Sequence, residues 1–286
     1  MDPMLKRERL HILLTNDDGH QAPGIRELHR VLKQTGHRIS VVAPSTEQSA
    51  TGMGVTSRRN LALEHLDTDY WHLDGQPVDT VLVALLHLLE DNPPDLVLSG
   101  INFGPNLGTA LHMSGTIGAA IMATLNGFPS IAISAGMRFE EVGTPFQSTH
   151  DVLEAAAEFT CSVIDSLQSS AGRKGRLLPK QVLLNINYPA LPRDQIKGVL
   201  HPKISAGNMI QMGYRRCAET GQVIPGFYPG VDPLQPQNEA GDVRAHMEGY
   251  ITISTIKPRW NPPAKQAKKL EERLRTLTQG FHTGDG

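Results

Sequence analysis

The stretch LLTNDDGHQAPGI, from Leu13 to Ile25, joins an apolar run to a segment that begins with proline and has helical periodicity. Asn, Asp and Gly are favoured in tight turns, so NDDG alone is typical of a hairpin turn. A hairpin needs a second strand directly after the turn, whereas residues 23–33 carry apolar side chains at helical spacing. The stretch therefore predicts a strand, a loop with two adjacent carboxylates, and a helix.

Short strand-like runs and helical segments continue to alternate as far as Ser134, which predicts an α/β fold. We expect a Rossmann-like, doubly wound and mainly parallel sheet, with a C-terminal β-hairpin or arm extension and a terminal helix. The strands are predicted at His11–Thr15, Arg38–Pro44, Asp95–Gly100, Pro129–Ser134, Val182–Asn187 and Gly249–Ile256. The helices are predicted at Pro23–Lys33, Pro77–Leu89, Gly115–Leu125, His150–Leu167 and Ala264–Gln279.

The alternation fades beyond Pro192, and residues 213–242 are rich in Gly, Pro, Gln and Asn. We interpret this segment as loops or hairpin arms. Long structureless loops are uncommon in compact domains, and soluble monomers avoid exposed apolar patches. Residues 1–200 are therefore predicted to form the catalytic core, and residues 201–286 to serve oligomerisation as a dimer or tetramer. The apolar side chains of the arm are Tyr214, Ile224, Phe227 and Tyr228.

Composition excludes several classes of protein. The 286 residues are 39% hydrophobic and 20% charged with a formal net charge of -2, so no overall positive field favours a nucleic-acid partner. The basic residues of the last helix are more typical of a solvated face, because its apolar stripe already explains the periodicity. No signal peptide or membrane span is predicted. Cys161 and Cys217 are far apart in the sequence and form no CxxC pattern, so neither a disulfide framework nor a zinc ribbon is predicted. We therefore expect a cytoplasmic location.

The loops after the predicted strands are rich in polar and small residues. Because ligands bind beyond the carboxyl ends of parallel strands, these loops are where a functional site is expected. Asp17 and Asp18 stand at the first such end, where two carboxylates repel each other unless a cation neutralises them. A serine hydroxyl and an asparagine carbonyl are available from neighbouring loops. Oxygen ligands of this kind suit Mg²⁺, Mn²⁺ or Ca²⁺ rather than zinc.

The sequence Ser114-Gly115-Thr116 lies in MSGTIGAA, Met113–Ala120, a turn rich in Gly and hydroxyl side chains that follows the loop Ile101–Gly108 and opens a helix. Free backbone N–H groups, two hydroxyls and the helix dipole make such a start an anion site. An ordinary N-cap is the alternative interpretation, because Ser and Thr are preferred there anyway. Next to a metal at the same sheet edge, a phosphate that bridges the two is the better explanation.

Several motifs together resemble the SurE (survival protein E) family of metal-dependent nucleotidases. In chain order they are TNDDGHQAPGI, VVAPSTEQSATGMGVT, DGQPVDTVLVAL, PDLVLSGINFGPNLG, SGTIGAA, LLNINYP and EGYITIST, from Leu10 to about Ile256. This chain departs from the family pattern at Ala50, where SG is usual, and at Ala110 and Met113, where an acid and a tyrosine are common. The resemblance implies a Rossmann-like fold and phosphomonoesterase activity on nucleoside monophosphates, as in a 5′-nucleotidase that also accepts 3′-nucleotides.

The resemblance also implies the site residues. One divalent ion per subunit, Mg²⁺ or Mn²⁺, would be held by Asp17, Asp18, Ser49 and Asn102. Asn16, Asn106, Ser114, Gly115 and Thr116 would bind the phosphate and substrate. The nucleophile is either water activated by the metal or Asp17, with water favoured because an aspartate bound to a cation is a poorer nucleophile. His20 and His112 receive no role, since loop histidines are more often plain polar residues.

Two other functions fit parts of the pattern. A dinucleotide-dependent oxidoreductase or nucleotide-sugar transferase would use the glycine-rich loops, but no G-x-G-x-x-G motif follows the first strand. A non-catalytic nucleotide sensor on the same scaffold is the third interpretation. Only a measurement of phosphate release distinguishes a sensor from the enzyme.

Overall fold

A mostly parallel sheet forms the centre of the computed structural model, which describes residues 9–141, 147–171, 176–229, 241–259, 261 and 264–275. The chain divides into two compact units, Met1–Ile256 and Lys257–Gly286. The strands are β1 (His11–Thr15), β2 (Arg38–Pro44), β3 (Leu63–Asp67), β4 (Tyr70–Leu73), β5 (Leu96–Phe103), β6 (Ser130–Ala135), β7 (Leu183–Tyr188), β8 (Val199–Leu200), β9 (Ile210–Arg216), β10 (Val223–Pro229) and β11 (Ile251–Ile256). Nine of them form one sheet in the order β3-β4-β2-β1-β5-β6-β7-β11-β8.

The middle of the sheet is parallel and fully covered. Strand β1 pairs in parallel with β2 and β5, and β6 pairs in parallel with β5 and β7. The antiparallel pairs β3–β4 and β7–β11 lie toward the two ends. Alternate residues of β1 face opposite layers, because successive strand side chains point to opposite faces. Ile12 and Leu14 pack in one hydrophobic cluster and Leu13 in another.

Helices cover both faces of this sheet. They are α1 (Pro23–Lys33), α2 (Pro77–Val83), α3 (Gly115–Leu125), α4 (Gln147–His150), α5 (Leu153–Ser170) and α6 (Asp242–Met247). Helices α1 and α5 pack in the cluster that contains Ile12, and α2 and α3 pack in the clusters on the other face. Helix α1 begins with a proline and buries Ile25, Leu28 and Leu32, as its apolar spacing predicts.

The prediction of a doubly wound α/β fold is confirmed. The predicted bounds of β1, α1, β2 and α3 are those of the structure. The helix predicted over residues 77–89 is α2 followed by a π-helical turn at Ala84–Leu88. The prediction that regular structure fades beyond Pro192 is wrong for β8 and α6, and the β3–β4 hairpin was not predicted.

The predicted arm contains an antiparallel hairpin of β9 and β10. Tyr214 and Val223 are 67% and 63% exposed, and Ile224 and Tyr228 are also exposed. Residues 230–240 of the predicted arm and the side chain of Phe227 lie outside the described residues. The hairpin therefore presents apolar side chains to solvent in this single chain.

The second unit contains α7 (Ala264–Arg273). The helix predicted to end at Gln279 begins at the predicted residue, and residues 276–279 lie outside the described part of the chain. No helix within the described ranges has the length and apolar character needed to span a membrane.

Candidate active site

The loop after β1 places two aspartates at the carboxyl end of the central strand. The side-chain amide of Asn16 donates to the carbonyl of Gly19 at 2.8 Å, which closes the NDDG turn. Gly19 has φ of +94°, a conformation that glycine adopts without steric cost. The backbone carbonyl of Asp17 accepts from Gln48 N–H at 2.7 Å, so the loop after β2 is attached to this turn.

Asp17 is almost fully buried, with an exposed fraction of 3%. Its Oδ1 accepts a hydrogen bond from the hydroxyl of Thr116. The start of α3 lies directly against it, because a Cβ added to Gly115 would stand 2.8 Å from the Cβ of Asp17. Burial raises the pKa of Asp17 above its usual value, and the Thr116 hydrogen bond opposes part of that rise.

Asp18 is partly exposed to a cleft beside Asp17. Its Oδ2 accepts from the backbone N–H of Phe103 at 3.1 Å. Desolvation and then the neighbouring charge of Asp17 raise the pKa of Asp18 from 3.8 to about 8. Within the described part of the chain, neither carboxylate forms a salt bridge with a Lys or Arg side chain. The pair therefore lacks the countercharge that buried carboxylates need.

Asn102 and Ser49 supply two further oxygens. The amide nitrogen of Asn102 donates to Gly104 O at 2.6 Å, and its Oδ1 lies 3.1 Å from the hydroxyl of Thr116. This arrangement turns the carbonyl oxygen of Asn102 toward the same hydroxyl that Asp17 contacts. Ser49 is exposed, and its hydroxyl donates to the carboxylate of Glu47 at 2.9 Å.

These residues fit a divalent cation. Two carboxylates without a countercharge, an amide oxygen and a hydroxyl oxygen form a hard donor set, which suits Mg²⁺, Mn²⁺ or Ca²⁺. No group of three or more His, Cys, Asp or Glu side chains within the described ranges has metal-binding geometry. The donor set thus differs from the nitrogen and sulfur sets that hold zinc.

The second half of the site is the start of α3 and the loop after β5. Ser114 is the N-cap of α3 and accepts from Ile117 N–H at 3.1 Å. Asn106 is nearly buried, and its side-chain amide donates to the hydroxyl of Ser134 at 2.9 Å. A helix start of this kind favours anions.

Both halves line one cleft of about 580 Å³. Its polar lining includes Asp17, Asp18, Glu47, Ser49, Asn102, Asn106 and Ser114. Its apolar lining includes Phe103, Met113, Met137, Ile210 and Met212, with the ring of His150 in edge contact with Phe103. No Lys or Arg is among the described residues that line this cleft.

The structure brings together most of the predicted site residues. All four predicted metal ligands line the cleft, as do Asn106 and Ser114. Asn16, Gly115 and Thr116 do not line it: Asn16 and Thr116 are fully buried, and Gly115 packs against Asp17. Direct contact of these three residues with substrate stays a prediction, and the structure places Thr116 between Asp17 and Asn102.

Sequence reasoning did not single out several neighbours of the site. Ile210 and Met212 come from β9, far along the chain, and no local pattern predicts their place in the cleft. Asn185 and Asn187 of β7 bind the backbone of Asn106. Their spacing of two residues in the LLNINYP motif was a usable signal, because it places both side chains on one face of a strand.

Comparisons with known proteins show which chains and structures this protein is similar to. The family model described as Survival protein SurE matches residues 12–211. The chain is 34% identical to 5′-nucleotidase SurE of Trichormus variabilis over 86% of this chain and 92% of that protein. It is 41% identical to 5′-nucleotidase SurE of Carboxydothermus hydrogenoformans over 71% and 74%. The crystal structure of SurE protein from Aquifex aeolicus superimposes with a TM-score of 0.74 at 29% identity, over 93% of this chain and 99% of that one.

Proposed function

Because the chain belongs to the SurE family, we propose that it is a metal-dependent 5′-nucleotidase that hydrolyses nucleoside monophosphates to nucleoside and phosphate. The observation that supports this most directly is the pair Asp17 and Asp18, which faces the same cleft as Ser114 at the start of α3. Carboxylates without a countercharge call for a cation, and the helix start suits an anion. A metal and a phosphate in one cleft are the requirements of a phosphomonoesterase.

Asp17, Asp18, Ser49 and Asn102 are the proposed ligands of one Mg²⁺ or Mn²⁺ per subunit. Their oxygens are hard donors, and the carbonyl oxygen of Asn102, which is 3.1 Å from the hydroxyl of Thr116, has a second lone pair for the ion. When bound, such an ion polarises a phosphoryl oxygen and lowers the pKa of water. The family is metal-dependent, and the choice between Mg²⁺ and Mn²⁺ is part of the proposal.

Asn106 and Ser114 are the proposed phosphate-binding residues. Both line the cleft, and both are held by bonds to neighbouring elements. Fixed donors aimed at the developing charge stabilise a transition state without reorganisation. Thr116 and Gly115 would contribute through Asp17, because the hydroxyl of Thr116 holds that carboxylate and Gly115 lets α3 approach it.

Water is the proposed nucleophile. Asp17 is 3% exposed and one of its oxygens is engaged by Thr116, which leaves it poorly placed for direct attack on phosphorus. Asp17 also lines the cleft, where its second carboxylate oxygen would orient a water molecule. The nucleoside would lie along the apolar side of the cleft, whose volume of about 580 Å³ lies within the range of about 300–1,000 Å³ of small-molecule sites.

The decisive experiment measures phosphate release from purine and pyrimidine nucleoside monophosphates, with Mn²⁺ and with a chelator. We expect turnover that the chelator abolishes and Mn²⁺ restores. The variant Asp18→Asn should be inactive in both conditions, whereas Asp91→Asn, an exposed site away from the cleft, should behave as wild type. Nucleotide binding without phosphate release would show a sensor, the second candidate.

The segment 201–286 is proposed to serve oligomerisation, with residues 1–200 as the catalytic core. Tyr214 on one face of the hairpin and Ile224 and Tyr228 on the other are exposed apolar side chains, which a second copy would cover in a closed symmetric dimer or a tetramer. Cys161 and Cys217 are both free thiols, which is consistent with a cytoplasmic protein.

A further inference from the structure

The loop that carries Asn106 follows β5 and crosses the carboxyl ends of β6 and β7. Its backbone is held there by two asparagines of β7. The N–H of Asn106 donates to Asn187 Oδ1 at 2.8 Å, and the carbonyl of Asn106 accepts from Asn187 Nδ2 at 3.0 Å and from Asn185 Nδ2 at 2.9 Å. Ser134 of β6 accepts from the side-chain amide of Asn106 at 2.9 Å.

This arrangement uses both backbone hydrogen-bonding groups of Asn106. The side chain of Asn187 offers an acceptor and a donor at once, and a carboxamide is the side-chain group that provides both in fixed geometry. An aspartate in place of Asn187 would accept from the N–H but, when ionised, would place an oxygen against the carbonyl. The conformation of Asn106, and therefore the direction of its side chain into the cleft, depends on this pair of bonds.

The two asparagines of β7 are unfavourable for the stability of the fold. Asn185 and Asn187 are fully buried in the interior of the sheet, where apolar side chains are usual. Asn185 Oδ1 has no hydrogen-bond partner among the described protein atoms, and leaving a buried acceptor unpaired destabilises the folded state. A strand selected only for stability would carry apolar residues at these positions, so the presence of two asparagines fits a role at the site.

We infer that Asn187, supported by Asn185, is a positioning residue for phosphoester hydrolysis, which acts by holding Asn106 in the orientation that contacts the phosphate. The inference rests on the proposed function of the same cleft. Neither asparagine lines the cleft or contacts Asp17 or Asp18 in the structure. Their removal should therefore change turnover without changing metal binding.

A double-mutant cycle tests the inference. We expect Asn106→Ala to lower kcat by about 100-fold, as for other single donors to transition-state charge, and Asn187→Ala to lower it by about 10-fold or more. The double variant should be no slower than Asn106→Ala, because residues that act through one another are not additive. Asn185→Ala removes one hydrogen bond to Asn106 instead of two, so it should lower kcat less than Asn187→Ala. Its effect should also be non-additive with that of Asn106→Ala. If Asn187→Ala fails to fold, the cycle is measured with Asn185→Ala instead.

Two further measurements distinguish positioning from a merely structural role. The shift in melting temperature caused by Mn²⁺ should be the same in Asn187→Ala as in wild type, because the metal ligands are untouched. Thr160→Val removes a buried hydroxyl that bonds within α5, 2.8 Å from Ala156 O, and should lower stability without lowering kcat.

Losses of kcat that multiply in the double variant, or full kcat in Asn187→Ala and Asn185→Ala, would overturn the inference and leave the proposed function intact. A wild-type protein that releases no phosphate in the presence of Mn²⁺ would instead overturn the proposed function, and the inference would fall with it.

Discussion

Replacing Asp18 by Asn should stabilise the metal-free protein at pH 8 while nearly abolishing turnover. The substitution keeps the shape of the side chain and an oxygen that accepts from Phe103 N–H, the bond seen at 3.1 Å. It removes the charge that burial and Asp17 disfavour. The two effects have opposite signs because the same charge that destabilises the empty site is needed to hold the cation.

The magnitude follows from the pKa of Asp18, which is raised from 3.8 to about 8 in the folded protein. Between these pH values the folded carboxyl binds a proton that the unfolded chain has lost, so the stability of the metal-free wild type falls as pH rises. Each pH unit contributes about 1.36 kcal/mol, which sets an upper limit of about 6 kcal/mol at pH 8. Because Asp18 is partly exposed and solvent screens its charge, we expect about 2 kcal/mol.

Thermal and urea unfolding in the presence of chelator, at pH 4 and pH 8, measure this difference. Asp18→Asn should be more stable than wild type at pH 8, by a few degrees in melting temperature, and equally stable near pH 4. Added Mn²⁺ should stabilise wild type and leave the variant unchanged. Turnover should fall by more than about 100-fold, the upper end of what removing an outer-shell partner of a metal costs. Lower stability of the variant at pH 8 in chelator would refute the reasoning, since it would show that the ionised pair is not repulsive.

Three other substitutions or measurements examine the remaining parts of the site and the arm. Thr116→Val removes the hydroxyl that donates to Asp17 and lies 3.1 Å from Asn102 Oδ1. It should raise the Mn²⁺ concentration for half-maximal activity by about 10-fold or more; an unchanged Mn²⁺ requirement would contradict this role. Ala50 has φ of +61°, a conformation that is strained for alanine and not for glycine. Ala50→Gly should therefore increase the free energy of urea unfolding by up to about 1 kcal/mol. The control Ala62→Gly should decrease it, because Ala62 is not among the residues with positive φ. Light scattering at low micromolar concentration should give at least twice the chain mass of 31.2 kDa; a fully active species of one chain mass would show that the hairpin needs no second copy.

The part of the fold predicted from the sequence is the part with strong local signals. Three elements can be recognised from their own residues alone. They are β1 with its apolar run, α1 with its initial proline, and the buried β2. Nearly every residue of strand β3 is exposed, so its sequence shows no alternation of buried apolar and exposed polar residues. Edge strands of this kind are formed by pairing with a neighbour, and single-sequence patterns do not contain that information.

The parallel topology of the sheet makes the general position of the site predictable from the sequence. Strands that run in parallel end at the same edge, so Asp17 and Asp18 after β1 are expected to lie beside Asn102 at the end of β5. The inward direction of Thr116 was not predictable, because it depends on how closely α3 packs on the NDDG turn. That distance is set by Gly115, where any Cβ would meet the Cβ of Asp17 at 2.8 Å.

The charges of the cleft predict an order of binding for the proposed metal and nucleotide. The ionisable lining consists of three carboxylates, Asp17, Asp18 and Glu47, together with His150, and no Lys or Arg of the described lining offsets them. A nucleotide phosphate is itself an anion, so in the metal-free cleft its attraction to the start of α3 would compete with repulsion from these carboxylates wherever they are ionised. A bound divalent cation would neutralise two of these negative charges and would itself attract the phosphate. Thr116 joins the two halves, since its hydroxyl contacts Asp17 and Asn102 while Ser114 of the same turn lines the cleft where the phosphate is proposed to bind. We therefore expect metal binding to favour substrate binding as well as chemistry, so that a nucleotide sensor built on this cleft would need the metal just as the enzyme does.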